Sequence, residues 1–149
     1  MADKKFIKFE IVSPERKVFE AEITQATIPT KEGEVTILPE HIPLVTSLIP
    51  GVIEIKTSKG DIEILSVSGG FLEVLNNKIS ILADTAERAH EIDISKAEEA
   101  RKTAEKIKEE AVHTDREHFT DAYAKIEKQL AREKAAKRWR KLKNIEQLK

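Results

Sequence analysis

Cysteine is absent from the 149-residue chain. That removes disulfide scaffolds, thiolate zinc sites, iron–sulfur clusters and cysteine nucleophiles together. No apolar run approaches the ~20 residues that cross a bilayer, and the opening MADKKFIKFE lacks the apolar stretch of a signal peptide. A soluble, cytoplasmic protein is expected. An excess of either charge is also missing: 26 Lys and Arg stand against 27 Asp and Glu, which argues against bulk binding to nucleic acid or anionic lipid. At 16.9 kDa a large multidomain enzyme is excluded. Finally, glycine and proline are missing from everything after residue 70. All five Gly (33, 51, 60, 69, 70) and all five Pro (14, 29, 39, 43, 50) precede it.

That last absence divides the chain. Residues 1–86 hold 31 Ile, Leu, Val and Phe, whereas residues 87–149 hold 10, with 10 Ala and 31 charged side chains. In the first part, short β-branched runs (Phe6 to Val12, Glu22 to Ile28, Gly51 to Thr57, Asp61 to Val67, Phe71 to Leu75, Lys78 to Leu82) read as strands. Turn chemistry separates them at Ser13-Pro14, Glu32-Gly33, Ile49-Pro50-Gly51, Lys59-Gly60, Ser68-Gly69-Gly70 and Asn76-Asn77. Their spacing fits a sandwich or flattened barrel of short, mostly antiparallel strands.

The second part reads as two helices. Asp93 or Ser95 can cap the first, with Ser95-Lys96-Ala97-Glu98 in capping-box form, and Ala97, Ala100, Ala104, Ile107 and Ala111 follow at helical spacing. Thr114 or Asp115 can cap the second, where Phe119, Tyr123, Ile126 and Leu130 form a stripe. After Leu130 the phase slips, and Ala135, Trp139 and Leu142 continue on a rotated stripe. Helix 1 is expected over about 93–112 and helix 2 over about 115–146, folded back as an antiparallel hairpin. The seam is mostly Ala, at ~0.8 kcal/mol per methyl against ~1.5–3 kcal/mol for a buried Leu or Ile. A weakly docked hairpin that barely shares a core with the strands is therefore expected. Charge is uneven along it, for residues 130–149 carry 8 basic and 2 acidic side chains.

Catalytic constellations are missing as well. There is no G-x-x-x-x-G-K-[ST] and no G-x-S-x-G, Ser68-Gly69-Gly70 lies between two strands rather than before a helix, and His113 and His118 are five apart, off a common helix face. Neither a catalytic nor a metal-binding residue is assigned, and no cofactor is required. The basic tip, Arg132, Lys134, Lys137, Arg138, Arg140 and Lys141, is either a solvated helix face or a surface for an acidic partner. Trp139 within it can anchor such an interface or pack on the first helix.

Several motifs occur in a recognisable order: Ser13-Pro14-Glu15, Ile28-Pro29-Thr30-Lys31-Glu32-Gly33-Glu34, Ile37-Leu38-Pro39-Glu40-His41-Ile42-Pro43-Leu44, Pro50-Gly51, Ser68-Gly69-Gly70-Phe71-Leu72-Glu73-Val74, and Ile81-Leu82-Ala83-Asp84-Thr85-Ala86 before an Ala-rich helix pair. The chain strongly resembles, over nearly its whole length, the epsilon subunit of bacterial and chloroplast F-type ATP synthases. The resemblance implies an α+β fold, with an N-terminal antiparallel β-sandwich of about ten short strands (1–86) and a C-terminal two-helix hairpin (87–149). It implies a non-catalytic place in the central stalk, where the strand domain binds the gamma subunit and rests on the ring of c subunits, with Glu34 and His41 facing that ring. It implies regulation too, the hairpin extending among the catalytic alpha and beta subunits so that the basic tip meets an acidic segment and blocks ATP hydrolysis. The resemblance further implies a complex on the cytoplasmic face of a bacterial cell membrane, with a chloroplast thylakoid as the alternative, so that this chain would meet membrane only through its partners and would not bind nucleic acid. Some bacterial members bind regulatory ATP through I/L-D-x-x-R-A. Here the match is Ile92-Asp93-Ile94-Ser95-Lys96-Ala97, with Lys96 in place of arginine and Asp93 equally readable as a helix cap. The alternative is a free-standing β-sandwich module whose basic hairpin binds an acidic protein or nucleic acid.

Overall fold

A computed structural model describes residues 3–112 and 116–148. Among them nine strands come first: β1 (Ile7–Val12), β2 (Lys17–Thr30), β3 (Gly33–Ile37), β4 (Leu44–Leu48), β5 (Gly51–Thr57), β6 (Ile62–Val67), β7 (Gly70–Leu75), β8 (Lys78–Ala83) and β9 (Ala86–Arg88). A 3-10 turn at Ala89–Glu91 then leads into α1 (Ile94–Ala111) and α2 (Arg116–Gln147). The strands are hydrogen-bonded in the order β1-β8-β7-β4-β2-β5-β6-β9, and β1 also pairs with β2, so the sheet turns back on itself. The long β2 makes this closure, lying against β1 through residues 17–23 and against β5 and β3 beyond them. Pairing is antiparallel except between β1 and β8. These two strands are joined by no hairpin that would fix their direction.

Alternation fills the interior. Ile7, Phe9 and Ile11 of β1 point inward beside Ile23, Ile28, Ile53, Ile55, Leu65, Leu72, Val74, Ile79 and Ile81, all at most 2% exposed. The two-residue turn Asn76-Asn77 has both residues at positive φ (49° and 57°), which Asn tolerates. The Asn77 side chain then ties down neighbouring backbone, donating to the Phe6 carbonyl at 2.7 Å and accepting from Glu40 N–H at 2.9 Å. Gly70 opens β7 at φ 132°, and a Cβ there would stand 2.1 Å from the Leu82 carbonyl oxygen, so only glycine fits.

Asp93 is the N-cap of α1, its Oδ1 accepting from Lys96 N–H at 3.1 Å. Ser95 lies inside the first turn, so the capping-box alternative is not the one used. Thr114, Asp115 and His113 lie outside the described residues. The α1 seam is Ala97, Ala104 and Ala111, spaced by sevens, while Ile107 is 40% exposed rather than part of it. On α2 the inward residues are Ala122 and Ile126; Tyr123 and Leu130 are turned outward. The Lys108 ammonium lies 5.4 Å from the Phe119 ring centre and 5.1 Å from that of Tyr123, which makes this rim of the hairpin cation–π rather than apolar.

The hairpin adds nothing to the sheet interior, but the second half of α2 docks on the strands. Ala135, Ala136, Trp139 and Leu142 pack on Val52 of β5 and Ile62 and Ile64 of β6, with Ala89, Ile92 and Ile94, forming a second apolar cluster separate from the sheet interior. After the phase slip at Leu130, α2 packs on the sheet as well as on α1. Trp139 therefore packs on the strand domain and beside His90, ring centres 6.2 Å apart.

Candidate functional site

The outer face of β4-β7-β8-β1 carries large apolar residues that nothing among the described residues covers. Register places Ser47, Phe71, Leu82 and Val12 in one row across the four strands, and Val45, Glu73, Ser80 and Glu10 in the next. Phe71 is 60% exposed, Leu82 62% and Val45 73%. Single exposed apolar residues are ordinary, but three in adjacent positions on a sheet face mark a docking surface. The reading of Phe71 to Leu75 as a strand did not single this face out. The signal was present, because Phe-Leu-Glu-Val-Leu puts apolar residues at both parities of the alternation, which a strand with one watery face does not need.

Beside this face, the connection Leu38–Pro43 projects Ile42 (75% exposed) and Leu38. It is held by Glu40, which sits at φ 64° and pairs with Lys5 Nζ at 2.6 Å. His41 belongs to this connection, half-buried, with Nδ1 2.7 Å from the Ile42 carbonyl oxygen. Glu34 is on a different element. It lies exposed on β3 opposite Pro29, just past the turn in which Thr30 Oγ1 donates to the Gly33 carbonyl at 2.6 Å.

The basic tip is not one uniform surface. Arg132 Nε lies 2.6 Å from a carboxylate oxygen of Glu87 in β9, and Arg138 pairs with Glu54 of β5, one of whose oxygens is buried. Lys137 lies 3.8 Å from Glu98 and from Glu133. Glu133 is itself buried in the hairpin and takes Arg101 Nε at 2.8 Å. That contact holds the Arg101 guanidinium above its ordinary value. Lys134, Arg140 and Lys141 are exposed and pair with no carboxylate among the described residues. Near the hinge, Arg16 reaches Glu91 at 2.8 Å and holds that carboxyl below its usual value.

The four residues of the I-D-x-x-K-A match are divided between tasks. Ile92 is buried in the second cluster, Ala97 is buried in the helix seam, Asp93 caps α1, and Lys96 is exposed. An open cleft close by is lined by Ile94, Glu98, Lys137, Arg140 and Lys141, and Asp93 and Lys96 are not part of its wall.

These surfaces define a class: a small sandwich presenting an apolar sheet face, carrying a cationic helical hairpin clamped to another side. Residues 6–89 match the family model described as ATP synthase, Delta/Epsilon chain, beta-sandwich domain, and the chain belongs to that family. Proteins called ATP synthase epsilon chain are similar to it: one from Pelotomaculum thermopropionicum is 46% identical over 98 residues, 66% of this chain and 72% of that protein. One from Psychrobacter arcticus is 46% identical over 101 residues, 68% and 73% of the two chains, and one from Chloroflexus aggregans 48% over 98 residues, 66% and 70%. In fold the chain resembles a chain in the cryo-EM structure of the Euglena gracilis mitochondrial ATP synthase OSCP/F1/c-ring, with TM-score 0.75 and 23% identity over 91% of this chain and 83% of that one. A chain in the Tetrahymena thermophila mitochondrial ATP synthase central stalk and c-ring gives TM-score 0.50 at 18% identity, over 60% and 72%.

Proposed function

We propose that this chain is the central-stalk, rotor subunit of a proton-translocating F-type ATP synthase. In this reading it is a non-catalytic part of the complex, attached at the cytoplasmic face of a bacterial cell membrane through its partners. The observation that carries the reading is the uncovered sheet face of Val45, Phe71 and Leu82. A rotor subunit must hold its neighbour through a full turn, and burying large side chains at ~1.5–3 kcal/mol each is what such a grip requires. The gamma subunit is assigned to this face. The connection around His41 with Ile42, together with Glu34 on β3, is assigned to the ring of c subunits, so that torque passes from ring to gamma through the sandwich.

The hairpin is assigned a regulatory part. Released from the sheet, α2 would carry Arg132, Lys134, Lys137, Arg138, Arg140 and Lys141 to an acidic segment of the catalytic alpha and beta subunits and impede ATP hydrolysis. Single exposed pairs contribute only ~0.2–1 kcal/mol, so the six act as a group and salt weakens them. As a regulatory ligand we assign ATP to the head of α1, supported by the exposure of Lys96 in the first turn and by the cations of the nearby cleft. Saturable heat on mixing the isolated chain with ATP, and tightening by Lys96→Arg, would support this, and no heat from either would leave Asp93 as a cap alone.

Co-purification tests the main reading. A tagged chain is expected to bring down gamma and the c subunits in fixed stoichiometry, and Phe71→Asp is expected to break that association while the sheet still folds. Recovery of the tagged chain alone from cells whose ATP synthase assembles without it would favour the free-standing module.

A further inference from the structure

Two arginines of the basic tip are already held by carboxylates of the chain's own sheet. Arg132 is only 19% exposed and grips Glu87, and Arg138 meets Glu54. The strand surface under α2 thus carries two carboxylates, Glu54 and Glu87, beside the apolar contact of Val52, Ile62 and Ile64 with Ala135, Ala136 and Trp139, whereas Glu63 is taken by Arg88 at 2.6 Å. Lys134, Arg140 and Lys141 are exposed and outside these ion pairs. The apolar part of this contact is thin, because three of α2's main residues there are Ala, Ala and a half-buried Trp.

We propose that Glu54 and Glu87 form an electrostatic latch that holds the hairpin on the sandwich and competes for Arg132 and Arg138 with the acidic partner surface of the catalytic subunits. The inference rests on the regulatory reading above and adds the contact that opposes it. The same two guanidiniums cannot serve both carboxylate sets at once, so docking and inhibition exclude each other. Lys134, Arg140 and Lys141 stay available while the helix is docked and can make the first contact with an acidic surface. Transfer of Arg132 and Arg138 then completes release. The ion pairs bridge 45 and 84 residues of chain (132 − 87 and 138 − 54), so they define a tertiary lock rather than helix stability.

The single tryptophan makes this measurable, because Trp139 sits within the contact. In the isolated full chain, Glu54→Gln with Glu87→Gln should raise the undocked population about tenfold, since two half-buried pairs of ordinary strength multiply. Trp139 emission should shift to the red and become open to iodide quenching, while the β-type circular dichroism is kept. Salt near 1 M, where the Debye length is about 3 Å, should do the same to the wild type and little more to the double variant. Exchanging the charges, Glu54→Arg with Arg138→Glu and Glu87→Arg with Arg132→Glu, should restore the docked emission, which separates loss of the latch from damage to the sheet. Unchanged emission in the glutamine variant, or an emission that the charge exchange fails to restore, overturns the latch. Failure of the inhibitory reading looks different: Trp139 responds as expected, yet replacing the six tip cations by Ala leaves hydrolysis by the assembled complex unchanged.

Discussion

Cutting the chain after Glu91 should leave a folded sandwich, and the size of the penalty follows from which residues α2 covers. Among the described residues, none beyond Ala86 belongs to the sheet interior. Removal of the hairpin therefore leaves the nineteen-residue interior cluster intact and uncovers chiefly Val52 and Ile64, now 8% and 1% exposed. Each would be half-uncovered at most, because same-face neighbours remain, so the loss is about 2–3 kcal/mol in all. A sandwich of this length is expected to have about 5–14 kcal/mol in hand. It should survive with its melting temperature lowered by roughly 10–20 °C. Cutting after Thr85 is harsher, since β9 then leaves the Leu65–Val67 edge unpaired. The discriminating measurement is a cycle. Val52→Thr with Ile64→Thr should cost the full chain about 2–3 kcal/mol, because burying two hydroxyls under α2 costs more than undocking does and undocking caps the loss. In the cut chain the same pair should be nearly neutral. Melts followed by circular dichroism would refute the reasoning if the pair cost the same in both chains, because α2 would then not be what buries those residues.

Three further outcomes are expected. Phe71→Ala with Leu82→Ala should weaken binding to gamma by about 2–4 kcal/mol, roughly 30- to 1000-fold in Kd, with little change in the melt because both side chains are outside the core; surface plasmon resonance against isolated gamma checks it. Gly70→Ala should destabilise the sheet by more than about 2 kcal/mol, since it combines an unfavourable φ with a clash on backbone that cannot move aside; urea unfolding reads it. Glu91 is depressed by Arg16, so its contribution to stability is present above the ordinary carboxylate range and lost as pH falls through the depressed value; an NMR titration should show Glu91 returning to ordinary behaviour in Arg16→Ala.

How much of this was legible depended on the range of the interaction. Gly51–Thr57 was readable to the residue, because alternation and the flanking Pro50-Gly51 turn are local. β3, β4 and β9 were not read as strands. Each is five residues or fewer, too short for periodicity, and each exists because a longer strand offers it an edge. The Asp93 cap was readable because a cap lies within four residues of what it satisfies. The sorting of the basic tip into held and free cations was not, since Glu54 and Glu87 are far from α2 in sequence and nothing local distinguishes Arg138 from Arg140.

The composition of α2 acquires its physical reason only from this sorting. A helix that carried Leu at positions 135 and 136 would sit further from β5 and β6 and hold by apolar burial, at roughly 1.5–3 kcal/mol per side chain, a strength that salt or a competing acidic surface could not overcome. Alanine at both positions lets the helix axis approach the sheet closely enough for Arg132 and Arg138 to reach Glu87 and Glu54. Adhesion is thereby moved from an interaction indifferent to ions and partners to one that both can weaken. The small residues and the paired arginines are one feature: a contact made specific by charge and kept shallow enough to be exchanged for another acidic surface.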